Sequence, residues 1–142
     1  LQEEPSYIDT ITLKILEDKL QEIQPKLICI SVPFPGNLYS AFRCAQFLKE
    51  KYPDLKVSMG GGFPNTELRS LTDVRVFDFF DYITLDDGEL PIELLLSNIL
   101  NSTNTNSDFK QFKRTFFKED NKIIYNNLLI VIQKRHCLIH VI

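Results

Sequence analysis

The sequence predicts an α/β fold built on a parallel sheet, and three observations predict it. Two short apolar runs, "KLICISVPF" and "KVSM", show no polar alternation and read as strands buried on both faces. Strand and helix patterns alternate three times within the first hundred residues, with short connections. All five glycines, Gly36, Gly60, Gly61, Gly62 and Gly88, fall in loops that leave the predicted strands.

Taken in order, residues 6–24 read as a helix. Ser6 and Asp9 are candidate caps, and Ile8, Ile11, Ile15, Leu16, Leu20 and Ile23 recur at helical spacing before Pro25 ends it. The first strand follows. Residues 37–52 form the next helix, with Asn37 as candidate cap and Leu38, Ala41, Phe42, Ala45, Leu48 and Tyr52 on one face. "KVSM" then runs into the triple glycine. A short helix near 65–71 and a turn near 73–80 lead to a third strand, "DYITLDD". "ELPIELLLSNIL" is a helix whose Pro91 stands in the first turn, where proline is tolerated.

The composition changes after residue 100. Residues 101–107 are a polar linker, and 108–142 hold a β-hairpin around "EDNK" followed by an apolar, β-prone tail. That tail would pair with a sheet edge or another chain.

The totals exclude several classes. A net charge of −3 gives no basic face for nucleic acid. No apolar stretch approaches the roughly 20 residues that cross a bilayer. Cys29, Cys44 and Cys137 match no metal or redox spacing, which fits reduced thiols in the cytoplasm. Cys29 and Cys44 are expected as small buried hydrophobes, and Phe77, Phe79 and Phe80 as core. The acidic N-terminus lacks a signal peptide, and a start at Leu1 suggests an excised piece. A phosphate-binding GK[ST] is absent, and "GGGFPN" departs from the dinucleotide fingerprint. His136, Cys137 and His140 alternate along a β-prone run and so point to different faces, which disfavours a metal site.

Ligands of an open parallel sheet bind beyond the carboxyl ends of its strands. The three loops there are "SVPFPGN", "GGGFPNTE" and "LDDGE". Their candidate binding residues are Ser31, Gly36, Asn37, Gly60, Gly61, Gly62, Thr66, Asp87, Gly88 and Glu89. Each has a plainer reading: glycine serves any tight strand-to-helix turn, and Glu89 at a helix start complements the macrodipole with no ligand. Acid–base catalysis by Asp86, Asp87 and Glu89 would lack a nucleophile or metal ligand beside it.

At these loops the chain resembles a family. "PKLICIS" (25–31), "FLKEKYP" (47–53), "VSMGGG" (57–62) and "FDYITLDDGE" (80–89) occur in the order found in the cobalamin-binding domain that precedes the catalytic barrel of radical S-adenosylmethionine proteins. The likeness spans about residues 7–100. It implies a three-layer flavodoxin/Rossmann-like sheet of strand order 2-1-3-4-5. This chain would supply its last three strands, leaving the sheet incomplete.

Under that resemblance the glycines would let the backbone approach a corrin ring or its nucleotide tail. Ser31, Asn37 and Thr66 would bond its amides, and Asp87 and Glu89 its amides or ribose hydroxyls. The CxxxCxxC that holds the family's iron–sulfur cluster is missing, so cluster and S-adenosylmethionine would belong to a separate domain of the parent enzyme. The histidine that ligates cobalt in mutases has no counterpart either. The expectation is a non-catalytic corrinoid-binding module. The alternative is a scaffold of the same fold that has lost the cofactor and forms homodimers through an exposed sheet edge or the apolar tail.

Overall fold

The computed structural model describes residues 4–101 and 112–126. The apolar tail, with His136, Cys137 and His140, and all but the first residue of the 101–107 linker lie outside the described residues.

The first helix, α1 (Tyr7–Ile23), starts at a capping box. The Ser6 hydroxyl accepts from the Asp9 N–H, and the Asp9 carboxylate accepts from the Ser6 N–H at 2.9 Å, so two orphan donors are satisfied together. It docks on the sheet through Leu16 and Leu20. Ile8, Ile11, Ile15 and Ile23, part of the same periodic pattern, are instead exposed. Periodicity finds the helix here but not which stripe is inward.

β1 (Leu27–Ser31) leads through a 3₁₀ turn, Pro35–Asn37, into α2 (Leu38–Lys51). Asn37 makes no side-chain capping bond, because its backbone is already helical at φ −88°. Ala41, Ala45 and Leu48 are buried as expected, with Phe42 and Tyr52 partly buried beside them. β2 (Lys56–Gly60) runs into α3 (Gly62–Glu67), which starts earlier than expected because Gly61 turns the chain directly into it. Pro64 sits in that helix's first turn.

A second 3₁₀ turn, Val74–Asp78, buries Phe77, while Phe80 behind it meets Phe42 edge-on at 5.2 Å. β3 is only Tyr82–Thr84. Just before it, the Asp81 N–H donates to Val57 O and its carboxylate accepts from the Val57 N–H, both at 2.8 Å, and just after it Asp86 turns the chain at φ 61°. α4 (Glu89–Asn101) follows. The hairpin is β4 (Thr115–Glu119) and β5 (Lys122–Asn126). Its two-residue loop, Asp120–Asn121, has φ of 48° and 58°, the left-handed pair that a type I′ turn requires.

The five strands form one sheet in the order β1-β2-β3-β4-β5. The first three are parallel, and β3–β4 and β4–β5 are antiparallel. The sheet is therefore mixed rather than wholly parallel, because the hairpin joins it alongside β3. Neighbouring residues split between faces: Ile83 joins Leu20, Ala45, Val57 and Met59 on the α1/α2 side. Tyr82 joins Leu95 of α4, Phe112 and Phe117 on the other. Helices thus cover both faces, with most of the apolar burial on the α1/α2 side. β1 is not buried on both faces, since Cys29 is exposed; Cys44 on α2 is half-buried. Neither is the fully buried small hydrophobe expected. No helix of the described residues is long and apolar enough to cross a membrane.

Candidate functional site

Because β1, β2 and β3 are parallel, their three exit loops reach the same rim of the sheet. Backbone bonds tie the first two together: the Val32 N–H donates to Gly60 O at 2.7 Å, and the Phe63 N–H donates to Val32 O at 2.9 Å. The third joins through Asn65, whose side-chain amide donates to Asp86 O at 3.1 Å while its oxygen accepts from the Asp86 N–H. All ten predicted site residues therefore lie at one end of the sheet, on strand ends, exit turns or the helices that follow them, Gly62 and Thr66 on α3 and Glu89 at the start of α4.

The triple glycine has a local cause. A Cβ on Gly60 would meet Thr84 Oγ1 at 2.8 Å, one on Gly62 would meet Pro33 O at 2.7 Å, and one on Gly61 would meet Val32 N and O at 2.9 Å. The space that glycine leaves is filled by this chain's own β1 and β3 exits. Gly61 also stands at φ 103°, ψ −168°, a region open essentially to glycine alone. These glycines seat the β2 exit against its neighbours. Gly88, at φ 76°, turns the chain into α4, and a Cβ on Gly36 would meet nothing within 4 Å.

The polar candidates divide. Ser31 is exposed at the end of β1, with its hydroxyl beside Gly61. Asn37, Asp87 and Glu89 are exposed on the rim. The Thr66 hydroxyl donates to Gly62 O and Phe63 O at 3.2 and 3.3 Å, so α3's own backbone engages it. Asp86 is neutralised by Arg69 at 2.6 Å and Arg114 at 3.4 Å. Its hydrogen bond raises the already high pKa of the Arg69 guanidinium. Among the described residues, no group of three or more His, Cys, Asp or Glu side chains could hold a metal ion.

Two features escaped the sequence reading. Phe34, on the β1 exit loop, is 70% exposed and presents an aromatic ring at the rim. Its signal was an aromatic between two prolines, a place where a ring cannot easily fold back. The other is the sheet face on the α4 side. Register places Cys29 beside Ser58 and Ser31 beside Gly60, and Ser58 beside Tyr82. From Ser58 to the rim β1 and β2 carry on that face only Cys29, Ser31, Ser58 and Gly60, all small, with Tyr82 and then Thr84 beside them on β3. The Ser58 hydroxyl is buried and has no hydrogen-bond partner. α4 packs through Leu95 against Tyr82, Phe112 and Phe117, toward β3 and β4, and Cys29 on β1 is left exposed.

A large groove, about 950 Å³, lies at the opposite end of the sheet, where the strands begin. Leu20, Lys26, Tyr52, Lys56, Tyr82 and Ile99 line it. Its lysines are partly engaged, Lys51 with Glu17 and Lys56 with Asp81.

No family model matches the chain, and no curated protein matches it.

Proposed function

We propose that this chain is a cobalamin-binding-type module of a radical S-adenosylmethionine protein, non-catalytic by itself, with the flavodoxin-like topology that such a module implies. The observation that carries the reading is the track of small residues on the α4 side of β1 and β2. Its buried, unpartnered Ser58 hydroxyl leads up to a rim of converging loops. A buried hydroxyl without a partner costs free energy, on the order of 1–3 kcal/mol, unless a ligand supplies one. A flat nucleotide-like tail lying along the exposed Cys29 and Ser31 would supply it by displacing the side chains that leave Ser58 1% exposed. Exposed Phe34 would then meet the broad apolar disc at the rim. Asn37, Asp87 and Glu89 are placed to meet its polar arms. The glycines contribute indirectly, by holding the β2 exit close to β1.

The test is a titration of hydroxocobalamin into the chain and into an N-terminally extended version, followed by visible absorption and retention on dialysis. Saturable retention is expected, and Cys29→Phe, which fills the track from an exposed position, abolishes it. If neither protein retains the corrinoid, the reading fails.

One observation favours a second reading, a scaffold of the same fold without cofactor. The room that the triple glycine provides is already occupied by Thr84, Val32 and Pro33. On that reading Cys29→Phe changes nothing, because nothing is retained to begin with.

A further inference from the structure

We propose that β1 pairs antiparallel with β1 of a second copy of this chain, about a two-fold axis that passes through Cys29. The backbone phase carries the argument. The Lys56 N–H donates to Lys26 O, and the Val32 N–H donates to Gly60 O, so the even-numbered residues of this segment turn their polar groups to β2. Leu27, Cys29 and Ser31 therefore turn theirs outward. β1 is the terminal strand of the sheet, so among the described residues no strand receives them.

The sequence "LICIS" also holds none of the devices that protect an edge: no charge, no proline and no bulge. Self-pairing satisfies it in one register. Centred on Cys29, the outward groups of Cys29 meet their own copy, and those of Leu27 meet the copy's Ser31. Ile28 then lies beside the copy's Ile30. A shift of one residue would turn inward-bonded groups to the partner and waste the edge.

The helix above carries a matching surface. Ile8, Ile11 and Ile15 of α1 are 74%, 44% and 59% exposed. At 3.6 residues per turn they fall within an arc of about 60°. Asp9 and Glu17, which reach Arg43 and Lys51 of α2, lie well outside that arc. The stripe is thus on the flank turned away from α2. An axis perpendicular to the sheet keeps both copies of α1 on the same face and turns each stripe toward the other.

The three isoleucines of the stripe offer roughly 300 Å² of surface and the strand edge on the order of 200 Å², so two copies bury about 1,000 Å² in total, the low end where weak and transient interfaces lie. The inference competes with the corrinoid reading, because the upstream strands implied there would take this same edge of β1; a dimer of the chain that the N-terminally extended version does not form would decide between them.

Sedimentation of the full chain from micromolar to hundreds of micromolar concentration tests it, with a reversible monomer–dimer equilibrium expected. Cys29→Asp sets two carboxylates face to face and weakens the dimer tenfold or more, whereas Cys29→Thr keeps it. Ile11→Lys, at an exposed helical position that cannot disturb the core, weakens it as well. With Cys44→Ser and Cys137→Ser in place, a short bismaleimide joins two copies through Cys29 alone. A monomer throughout the range overturns the proposal, as does a dimer indifferent to both Cys29→Asp and Ile11→Lys.

Discussion

Replacing Gly61 by alanine separates a glycine that the fold requires from one that it merely contains. At φ 103° and ψ −168° an L-residue is strained, by about 1–3 kcal/mol. The new methyl would also stand 2.9 Å from both Val32 N and Val32 O. Those atoms belong to backbone that bonds Gly60 and Phe63, so they cannot yield as a side-chain tip would. Overpacking of that kind adds about 1–3 kcal/mol. The lower entropy of unfolded alanine returns about 0.4–1 kcal/mol. The net loss is about 1–5 kcal/mol, or a fall in Tm of roughly 3–20 °C for a chain of this size. Gly36→Ala is the internal control, since its methyl would meet nothing within 4 Å. Urea unfolding of the two variants beside the parent measures both, with an unchanged m value marking a pure stability effect. Equal midpoints for Gly61→Ala and Gly36→Ala would refute the close approach of the β2 exit to β1, and with it the architecture of the rim.

Two pH effects follow from buried or bonded groups. Burial, with a smaller contribution from Asp81, pushes the Tyr82 hydroxyl up to about 12. The unfolded chain then releases that proton near 10.0 while the folded chain holds it, so stability falls as pH rises from there to about 12. Phenolate absorption should show one tyrosine of the five titrating late, and Tyr82→Phe should remove that step. At the acid end, the Ser6 N–H, then the Ser6 and Tyr39 hydroxyls and Arg43, hold the Asp9 carboxyl below its usual 3.8. Its stabilising effect is present above that value and lost as pH falls through the lower folded pKa. Asp9→Asn should therefore destabilise at neutral pH, with the difference from the parent narrowing below 3.8 in acid-unfolding curves.

The parallel half of the fold was legible because each of its elements carries its own signal. Ser6 and Asp9 mark the start of α1, Ala41, Ala45 and Leu48 mark the inward face of α2, and the EDNK turn marks the hairpin. What stayed hidden depends on partners distant in sequence. The bond from the Val57 N–H to the Asp81 carboxylate and the hairpin's place beside β3 are pairings no local pattern encodes. The site divided in the same way. Glycine positions located the rim, since a strand exit leaves its mark locally. They did not reveal whether ligand or protein fills the space above them, because that is decided by Thr84 and Val32.

The exposed isoleucines of α1 and the exposed Cys29 of β1 are better understood together than as separate anomalies. An apolar stripe in a helix and an unprotected run in a strand both read, in sequence, as core. Here each contributes its even burial on one side, Leu16 and Leu20 for α1, Ile28 and Ile30 for β1, and leaves an apolar remainder on the other. The two remainders lie on successive elements but on opposite faces of the sheet, the α1 stripe on the α1/α2 side and Cys29 on the α4 side. A surface left to solvent normally carries charge, as the exposed Glu50 and Lys51 of α2 do. The proposed pairing of two copies would cover the isoleucine stripe of α1 and the outer edge of β1 together.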